Sequence, residues 1–271
     1  MTLKRELIYQ DRLVAFVDIL GFKDAVNKSA GADEWCIKLR KKINRLVDNN
    51  ESFQLYNDAF KVLYEEQLKG KAEETAEITF FSDCIVFSSE VAKNINDNIV
   101  TIFLKFIMNL AIETANFGFL LRGGITFGKI RHDHNKCFGP AMNRAYLLES
   151  ETAVYPRILI DGFALKELAK DKFIHNSIEF ISPDKSDGLL FFDYLSQKAY
   201  FEENDNYHDF EGNRLDYNQF LKNLKILITD NLEQYNDNER VLIKYQWYKE
   251  YYNDTVKKVL CQEQQDEFLI K

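Results

Sequence analysis

Hydrophobic residues among the first 160 positions occur either in short continuous runs or at helical spacing, and together these patterns predict an ordered series of strands and helices. Short apolar runs bounded by polar residues are typical of strands, and residues 13–17 form the clearest one, covered on both faces. Strands are predicted at residues 13–17, 78–81, 84–87, 119–127 and 157–160. Helical spacing predicts helices at residues 35–47, 60–68, 96–116 and, after a glycine-containing loop, 139–148.

The order of these elements predicts the fold class. A strand, helix, strand, strand, helix, strand series is that of a ferredoxin-like βαββαβ core, so we expect an α+β protein. The pattern changes near residue 185: residues 189–194 predict a strand, and residues 197–213 are acidic and loop-like. Residues 218–260 predict two long helices. We therefore divide the chain into a core (1–185) and a C-terminal strand and helical appendage (186–271) that packs on it.

Composition excludes several classes of protein. The chain of 271 residues is 46% hydrophobic with 22 Phe and 14 Tyr, enough for a sizeable core. A net charge of −8 predicts no general attraction to nucleic acid or anionic membranes. The most apolar stretch, residues 99–121, carries Lys, Asn and Glu at intervals, which favours a buried helix over a membrane span. Four scattered cysteines indicate reduced thiols, and we expect a soluble cytoplasmic protein.

Two aspartates carry the first chemical signal. Asp18 ends the first apolar strand, and Asp83 lies at the tip of the apolar hairpin. A carboxylate beside apolar residues is costly unless it caps a strand end, lies in a turn or binds a divalent cation. The first strand of a ferredoxin-like sheet lies beside the hairpin, so the two carboxylates are expected to share ions. Gly21 permits either an ordinary turn or a helix start facing phosphate.

A second group of candidate ligands is less specific. His132, His134 and Cys137 offer nitrogen and sulfur donors of the kind that zinc prefers. Asp133, Asn135 and Lys136 stand between them, and this polarity favours a solvated hairpin loop over a zinc site.

Four further segments, taken in order, are residues 16–22 (FVDILGF), 81–84 (FSDC), 121–128 (LRGGITFG) and 139–145 (GPAMNRA). Together they resemble motifs of the class III nucleotidyl cyclase homology domain. Each motif alone is a weak signal, whereas their shared order and spacing over roughly residues 13–160 make the set specific.

The resemblance implies a homodimer that binds a nucleoside triphosphate, with active sites at the subunit interface and two Mn²⁺ or Mg²⁺ ions per site. Asp18, the Ile19 carbonyl and Asp83 would hold the metals from one chain, and Asn143 would come from the other. The implied reaction is attack of a ribose 3′-hydroxyl on the α-phosphorus with release of pyrophosphate. Arg122 is either a phosphate clamp or an ordinary strand arginine.

Departures from the family's purine-specific pattern bear on the substrate. Thr79 stands at the position of the base-reading Lys or Glu, and Lys136 replaces the partner Asp or Cys. Leu147 stands where adenylate cyclases carry a transition-state arginine, which leaves Arg144 or Arg122 as replacements or indicates a weakened enzyme.

A divergent branch, the pyrimidine cyclases of bacterial antiphage (Pycsar) systems, resembles this pattern more closely. The resemblance implies cyclic UMP or cyclic CMP as product, read by a cyclic-nucleotide-sensing effector. Both UTP and CTP stay open as substrate, and we favour UTP. The candidate substrate contacts are Gly21, Phe22, Thr79 and Lys136.

Two other functions remain open at this point. One is a catalytically inactive cyclase-like module that binds nucleotides and signals, an alternative favoured by Leu147. The other is a two-metal phosphodiesterase or nuclease, which the acidic charge and the lack of a basic groove disfavour.

Overall fold

Strand β1 (Gln10–Leu20) is buried on both faces along most of its length. This computed structural model of the protein describes residues 9–31, 76–90, 97–133, 136–162, 164–165, 180–203 and 214–271, and the single residues 34, 37 and 41. The other strands are β2 (Ala76–Phe81), β3 (Cys84–Glu90), β4 (Leu120–Asp133), β5 (Lys136–Phe138), β6 (Ile158–Ile160), β7 (Ile181–Pro183) and β8 (Leu190–Phe192). The helices are α1 (Phe22–Ser29), α2 (Asp97–Asn116), α3 (Pro140–Leu147), α4 (Lys198–Glu203), α5 (Tyr217–Gln234), α6 (Glu239–Val259) and α7 (Gln262–Phe268), with a π-helical turn at Leu148–Thr152.

The strands form one mixed sheet in the order β2-β3-β1-β4-β6-β8-β7, with β5 paired to β4. The β4–β6 pair is parallel, and the other neighbours are antiparallel. The predicted position of the β2–β3 hairpin beside β1 is confirmed, because Asp18 is opposite Cys84 in the β1–β3 register. On the other side of β1, Asp18 is opposite Arg122 of β4. Three residues at the ends of neighbouring strands therefore meet.

The sheet separates two hydrophobic clusters. Leu13, Ala15 and Val17 of β1 lie in the larger cluster, which includes helix α2. Val14 and Phe16 lie in a smaller cluster that includes helix α3. Successive side chains of a strand point to opposite faces, so one face of the sheet is covered by α2 and the other by α3. We call these the α2 face and the α3 face.

Close packing of α3 on the sheet depends on a glycine of β4. A Cβ atom at Gly124 would lie 2.4 Å from the Leu148 Cβ and 2.8 Å from the Ala145 carbonyl oxygen. These distances are shorter than real Cβ contacts, so only glycine allows the helix to approach β4 this closely. Gly124 of the LRGGITFG segment thus has a packing function.

The two long C-terminal helices are confirmed and pack against the core. Helix α5 begins at the N-cap Asp216, whose carboxylate accepts from the Gln219 amide at 2.8 Å. Asn223 of α5 donates to Asn116 of α2 at 2.7 Å. Tyr248 and Tyr252 of α6 are fully buried, so this aromatic segment packs in the core.

Other differences separate the sequence expectations from the structure. Residues 197–213 were expected to be loop-like, which is wrong for α4, since Lys198–Glu203 is helical. Strand β7 was not predicted, and it pairs with β8 across the division proposed at residue 185. The helices expected at 35–47 and 60–68 lie outside the described residues. In the described part of the chain, every helix is too short or too polar to cross a membrane.

Candidate active site

Asp18 and Asp83 converge at one end of the sheet. By alternation with Val14 and Phe16, Asp18 lies on the α3 face at the end of β1. Ligand atoms of Asp18, Asp83 and Cys84 all lie within 4.8 Å of one another, and all three residues are partly exposed. The convergence predicted from the sequence is therefore observed, and it leaves the two carboxylates accessible.

Backbone geometry holds this arrangement. The hairpin turns through Ser82, whose φ of 57° lies in the left-handed region that non-glycine residues rarely adopt. The Ile19 amide donates to the Asp83 carbonyl oxygen at 2.8 Å, which ties the hairpin tip to the end of β1. The Asp18 and Asp83 side chains are therefore positioned by main-chain contacts that do not depend on the carboxylates themselves.

Arg122 and Glu149 form the adjacent side of the site. The Arg122 guanidinium makes an ion pair with the Glu149 carboxylate through Nη2, and the same nitrogen lies 3.7 Å from Asp18 Oδ2. Glu149 is 5% exposed and lies in the π-helical turn that follows α3. Within the described residues, Arg122 Nε is buried without a hydrogen-bond partner. Arg122 is thus held by two carboxylates instead of extending freely into solvent.

The negative charge at this end of the sheet is under-compensated. Burial raises the pKa of Asp18 to about 6, with Glu149 and Asp83 adding to the rise and Arg122 opposing it. A raised carboxylate pKa means that the ionised form lacks enough water or positive charge around it. The site therefore favours an additional cation.

The donors fit a hard divalent cation. Cys84 Sγ lies 3.8 Å from an oxygen of Asp18 and 3.8 Å from an oxygen of Asp83. Burial and the neighbouring carboxylates raise the pKa of the Cys84 thiol to about 12, so it is protonated at neutral pH. A neutral thiol is a poor ligand, which leaves carboxylate oxygens, the donors that Mg²⁺ and Mn²⁺ prefer.

The candidates on α3 are exposed. Asn143 and Arg144 both lie on the outer side of the helix. Arg144 Nη1 is 3.3 Å from Asp161 Oδ2, and the same oxygen accepts from the Thr126 hydroxyl at 2.8 Å. Arg144 is therefore engaged by Asp161, while Asn143 is exposed to solvent.

The two candidates that follow β1 have different environments. Gly21 is exposed with φ of 80°, and it is the N-cap of α1, so it makes the turn that glycine favours. Phe22 is 5% exposed and packs in the larger cluster, with its ring centroid 6.2 Å from that of Phe119. The structure thus places Phe22 in the core, where its side chain offers no surface to a substrate.

Thr79 belongs to a buried polar network on the α3 face. His132 Nε2 is 2.8 Å from the Thr79 hydroxyl, and His132 Nδ1 is 2.8 Å from the Ser88 hydroxyl. His132 is only 3% exposed, so the expectation that it belongs to a solvated loop is wrong. The hairpin itself is present, with Lys136 exposed in β5 opposite Asp133 of β4.

This network makes stability depend on pH. Burial and the Arg12 guanidinium lower the pKa of His132 to about 4, against a smaller opposing effect of Asp133. In the unfolded chain His132 binds a proton near pH 6.5, whereas in the folded protein it does so only near pH 4. The contribution of His132 to the free energy of unfolding is therefore full above pH 6.5 and is lost as the pH falls toward 4. We expect a loss of about 3 kcal/mol over this interval. Urea unfolding between pH 7.5 and 4.5 measures it.

The control for that prediction is His132→Gln, which removes the titrating ring. The difference in unfolding free energy between wild type and variant should shrink as pH falls. A constant difference over this range would contradict a buried neutral histidine.

Two residues near the site were not found from the sequence. Glu149 follows Ala141 and Ala145 at four-residue intervals, so a charge continues the buried stripe of α3, and that irregularity was a usable signal. Lys244 of α6 interacts electrostatically with Asp18, Glu149 and Arg122. It precedes Trp247 by three residues, and only the tertiary fold reveals how close it comes to the site.

Comparisons with known proteins give one structural neighbour to report. No family model matches the chain, and no curated protein matches it. Among solved structures, the catalytic core of a rhodopsin-guanylyl cyclase with converted specificity, in complex with ATPαS, aligns with 16% sequence identity and a TM-score of 0.35. The alignment covers 68% of this chain and 94% of that one.

Proposed function

We propose that the protein is a nucleotidyl cyclase that converts a nucleoside triphosphate to its 3′,5′-cyclic monophosphate and pyrophosphate. The observation that carries the proposal is the convergence of Asp18 and Asp83 at the ends of adjacent strands, partly exposed and within 4.8 Å. Two such carboxylates, short of positive charge, are what a two-metal phosphoryl-transfer site needs. The four ordered motifs in the sequence support the same assignment.

Each residue of the site then has a chemical task. Asp18, Asp83 and the Ile19 carbonyl would hold two Mn²⁺ or Mg²⁺ ions. Bound there, such ions supply Lewis-acid chemistry that acidifies the ribose 3′-hydroxyl and offsets charge on the triphosphate. Glu149 keeps the Arg122 guanidinium beside Asp18, and the donors that Glu149 leaves unused would bind phosphate oxygens.

The fold assignment belongs to this proposal. The strand order β2-β3-β1-β4 with antiparallel neighbours supports a ferredoxin-like unit, in which α1 and α2 follow β1 and β3. In this assignment the helices α5, α6 and α7 form the appendage of that unit.

A homodimer with shared active sites is also part of the proposal. Large apolar side chains remain exposed on and near the α3 face and the sheet ends, where a second copy would cover them. These residues are Tyr9, Phe81, Phe138, Tyr146 and Leu147. Exposed Asn143 on α3 would reach the partner's site in such a dimer.

The proposed substrate is a pyrimidine triphosphate, with UTP favoured over CTP. Thr79 replaces the purine-reading side chain, and its hydroxyl is already engaged by His132, which supports a pocket unlike that of purine cyclases. Lys136 is exposed and free to contact a base across a dimer interface. By resemblance, the cyclic product would act on an effector in antiphage defence.

A direct assay tests the activity. Purified protein is incubated with Mn²⁺ and each of ATP, GTP, CTP and UTP, and products are identified by mass spectrometry. We expect cyclic UMP and pyrophosphate, with cyclic CMP second. Absence of any cyclic product from protein whose fold is intact by circular dichroism would contradict the proposal.

A catalytically inactive nucleotide-binding module is the second candidate. The observation that favours it is the engagement of Arg122 by Glu149 and Asp18 together with the exposed Leu147 in place of an arginine. This candidate predicts calorimetric binding of UTP without release of pyrophosphate.

A further inference from the structure

Helix α6 is anchored beside the strand that carries Arg122. The Trp247 ring stacks on Tyr155 with centroids 5.4 Å apart and planes at 5°, and its Nε1 donates to Asp184 at 2.8 Å. The Arg157 guanidinium carbon lies 5.6 Å from the Trp247 ring centroid. The Gly123 amide, next to Arg122 in the chain, donates to the Arg157 carbonyl oxygen at 3.1 Å. Helix α6 therefore docks within a few residues of the candidate active site.

Lys244 lies on the side of α6 that packs against the rest of the protein. Residues three and four apart share a helix face, so Lys244 is on the same face as Trp247 and Tyr248, both of which are buried. Its side chain is half-buried and interacts electrostatically with Arg122, Asp18 and Glu149. Helix α6 thus brings a cation to the carboxylate cluster of the core.

The nearby carboxylates do not fully compensate the charge of this lysine. Among the residues that the structure describes, the Lys244 ammonium makes no hydrogen bond or ion pair, while the exposed Lys185 and Lys258 both do. Burial and the nearby Arg122 lower its pKa by more than Asp18 and Glu149 raise it. A partly desolvated cation beside another cation is unfavourable in the free protein and becomes favourable when an anion binds between them.

We propose that Lys244 binds a phosphate of the substrate, so that the C-terminal helices complete the triphosphate site of the same chain. This inference rests on the proposed cyclase function. Three carboxylates, those of Asp18, Asp83 and Glu149, otherwise outweigh Arg122 and repel a triphosphate. Lys244 adds a second cation near Arg122, and its flexible stem lets it follow the outer phosphates.

Inorganic triphosphate with Mn²⁺ is the probe, because it lacks the base and the reactive hydroxyl. We expect Lys244→Gln to weaken its binding about tenfold by calorimetry, and Lys244→Arg to restore most of the affinity. Lys257→Gln is the matched control, an exposed lysine on the last turn of the same helix, and should leave affinity unchanged. With UTP, the loss should fall mainly on KM. Equal affinity in Lys244→Gln and Lys257→Gln would overturn the inference.

A measurement on the wild-type protein covers the case in which Lys244→Gln fails to fold. Amine-reactive labelling followed by mass spectrometry reports the accessibility of each lysine. Triphosphate with Mn²⁺ should protect Lys244 several-fold and leave Lys257 unchanged, and equal labelling of Lys244 with and without triphosphate would overturn the inference.

The two proposals fail in different ways. Triphosphate binding that depends on Lys244, without cyclic product from any nucleotide, would remove the cyclase and retain the phosphate contact. Normal product formation and KM in Lys244→Gln would retain the cyclase and remove the contact.

Discussion

Asp83→Asn is expected to lower cyclic nucleotide formation at least about 100-fold, more than the loss typical of residues that only support metal ligands. The amide keeps the shape of the side chain but removes the charge that would hold a divalent cation. Because the Asp83 carbonyl, not its side chain, receives the Ile19 amide, the hairpin tip should keep its position. Product formation with Mn²⁺ and UTP, and Mn²⁺ binding by calorimetry, measure the effect.

The matched control is Asp237→Asn, an exposed aspartate in the turn between α5 and α6. Both variants should unfold within about 0.5 kcal/mol of wild type, as surface substitutions usually do. Full activity in Asp83→Asn would rule out two-metal catalysis at this site.

Arg157→Ala is expected to cause the largest loss of stability, about 3–5 kcal/mol in the free energy of unfolding. Arg157 is 2% exposed and makes ion pairs with Asp184 and Asp187, and its guanidinium carbon lies 5.2 Å from the Tyr155 ring centroid. Truncation would leave the buried Asp184 carboxylate without its cation. Urea denaturation of the variant and wild type measures the difference.

Lys185→Ala provides the comparison, because it removes an exposed ion pair and not a buried one. Lys185 is 81% exposed and lies 2.6 Å from Asp254, so its loss should cost less than about 1 kcal/mol. Similar losses of unfolding free energy in the two variants would show that burial does not explain the contribution of the Arg157 ion pair to stability.

Local pattern was sufficient to predict the central elements of the fold. The apolar run of β1 and the hairpin broken at Ser82 and Asp83 have strong periods and clear turn residues, and both are observed. The three-residue strands β5 and β7 are too short to show a period, and β7 ends in Pro183. Such strands form because a neighbouring strand offers hydrogen-bond partners, which is a tertiary cause.

The candidate site was predictable only where strand order determines it. Asp18 and Asp83 follow from two strand ends that must be neighbours in the sheet. Lys244 reaches them from more than 150 residues away, through contacts of Trp247 that no local spacing encodes. The same limit applies to His132, whose polar neighbours indicated a loop although its ring lies buried between Thr79 and Ser88.

The stacking of Trp247 on Tyr155 has a practical consequence. The chain contains two tryptophans, and this one is buried against an aromatic ring and a carboxylate at the point where α6 meets the core. Its fluorescence emission depends on that polar and aromatic environment. The protein therefore contains an intrinsic optical probe for the docking of helix α6, and a red shift that precedes the loss of far-ultraviolet ellipticity would reveal undocking as a separate step.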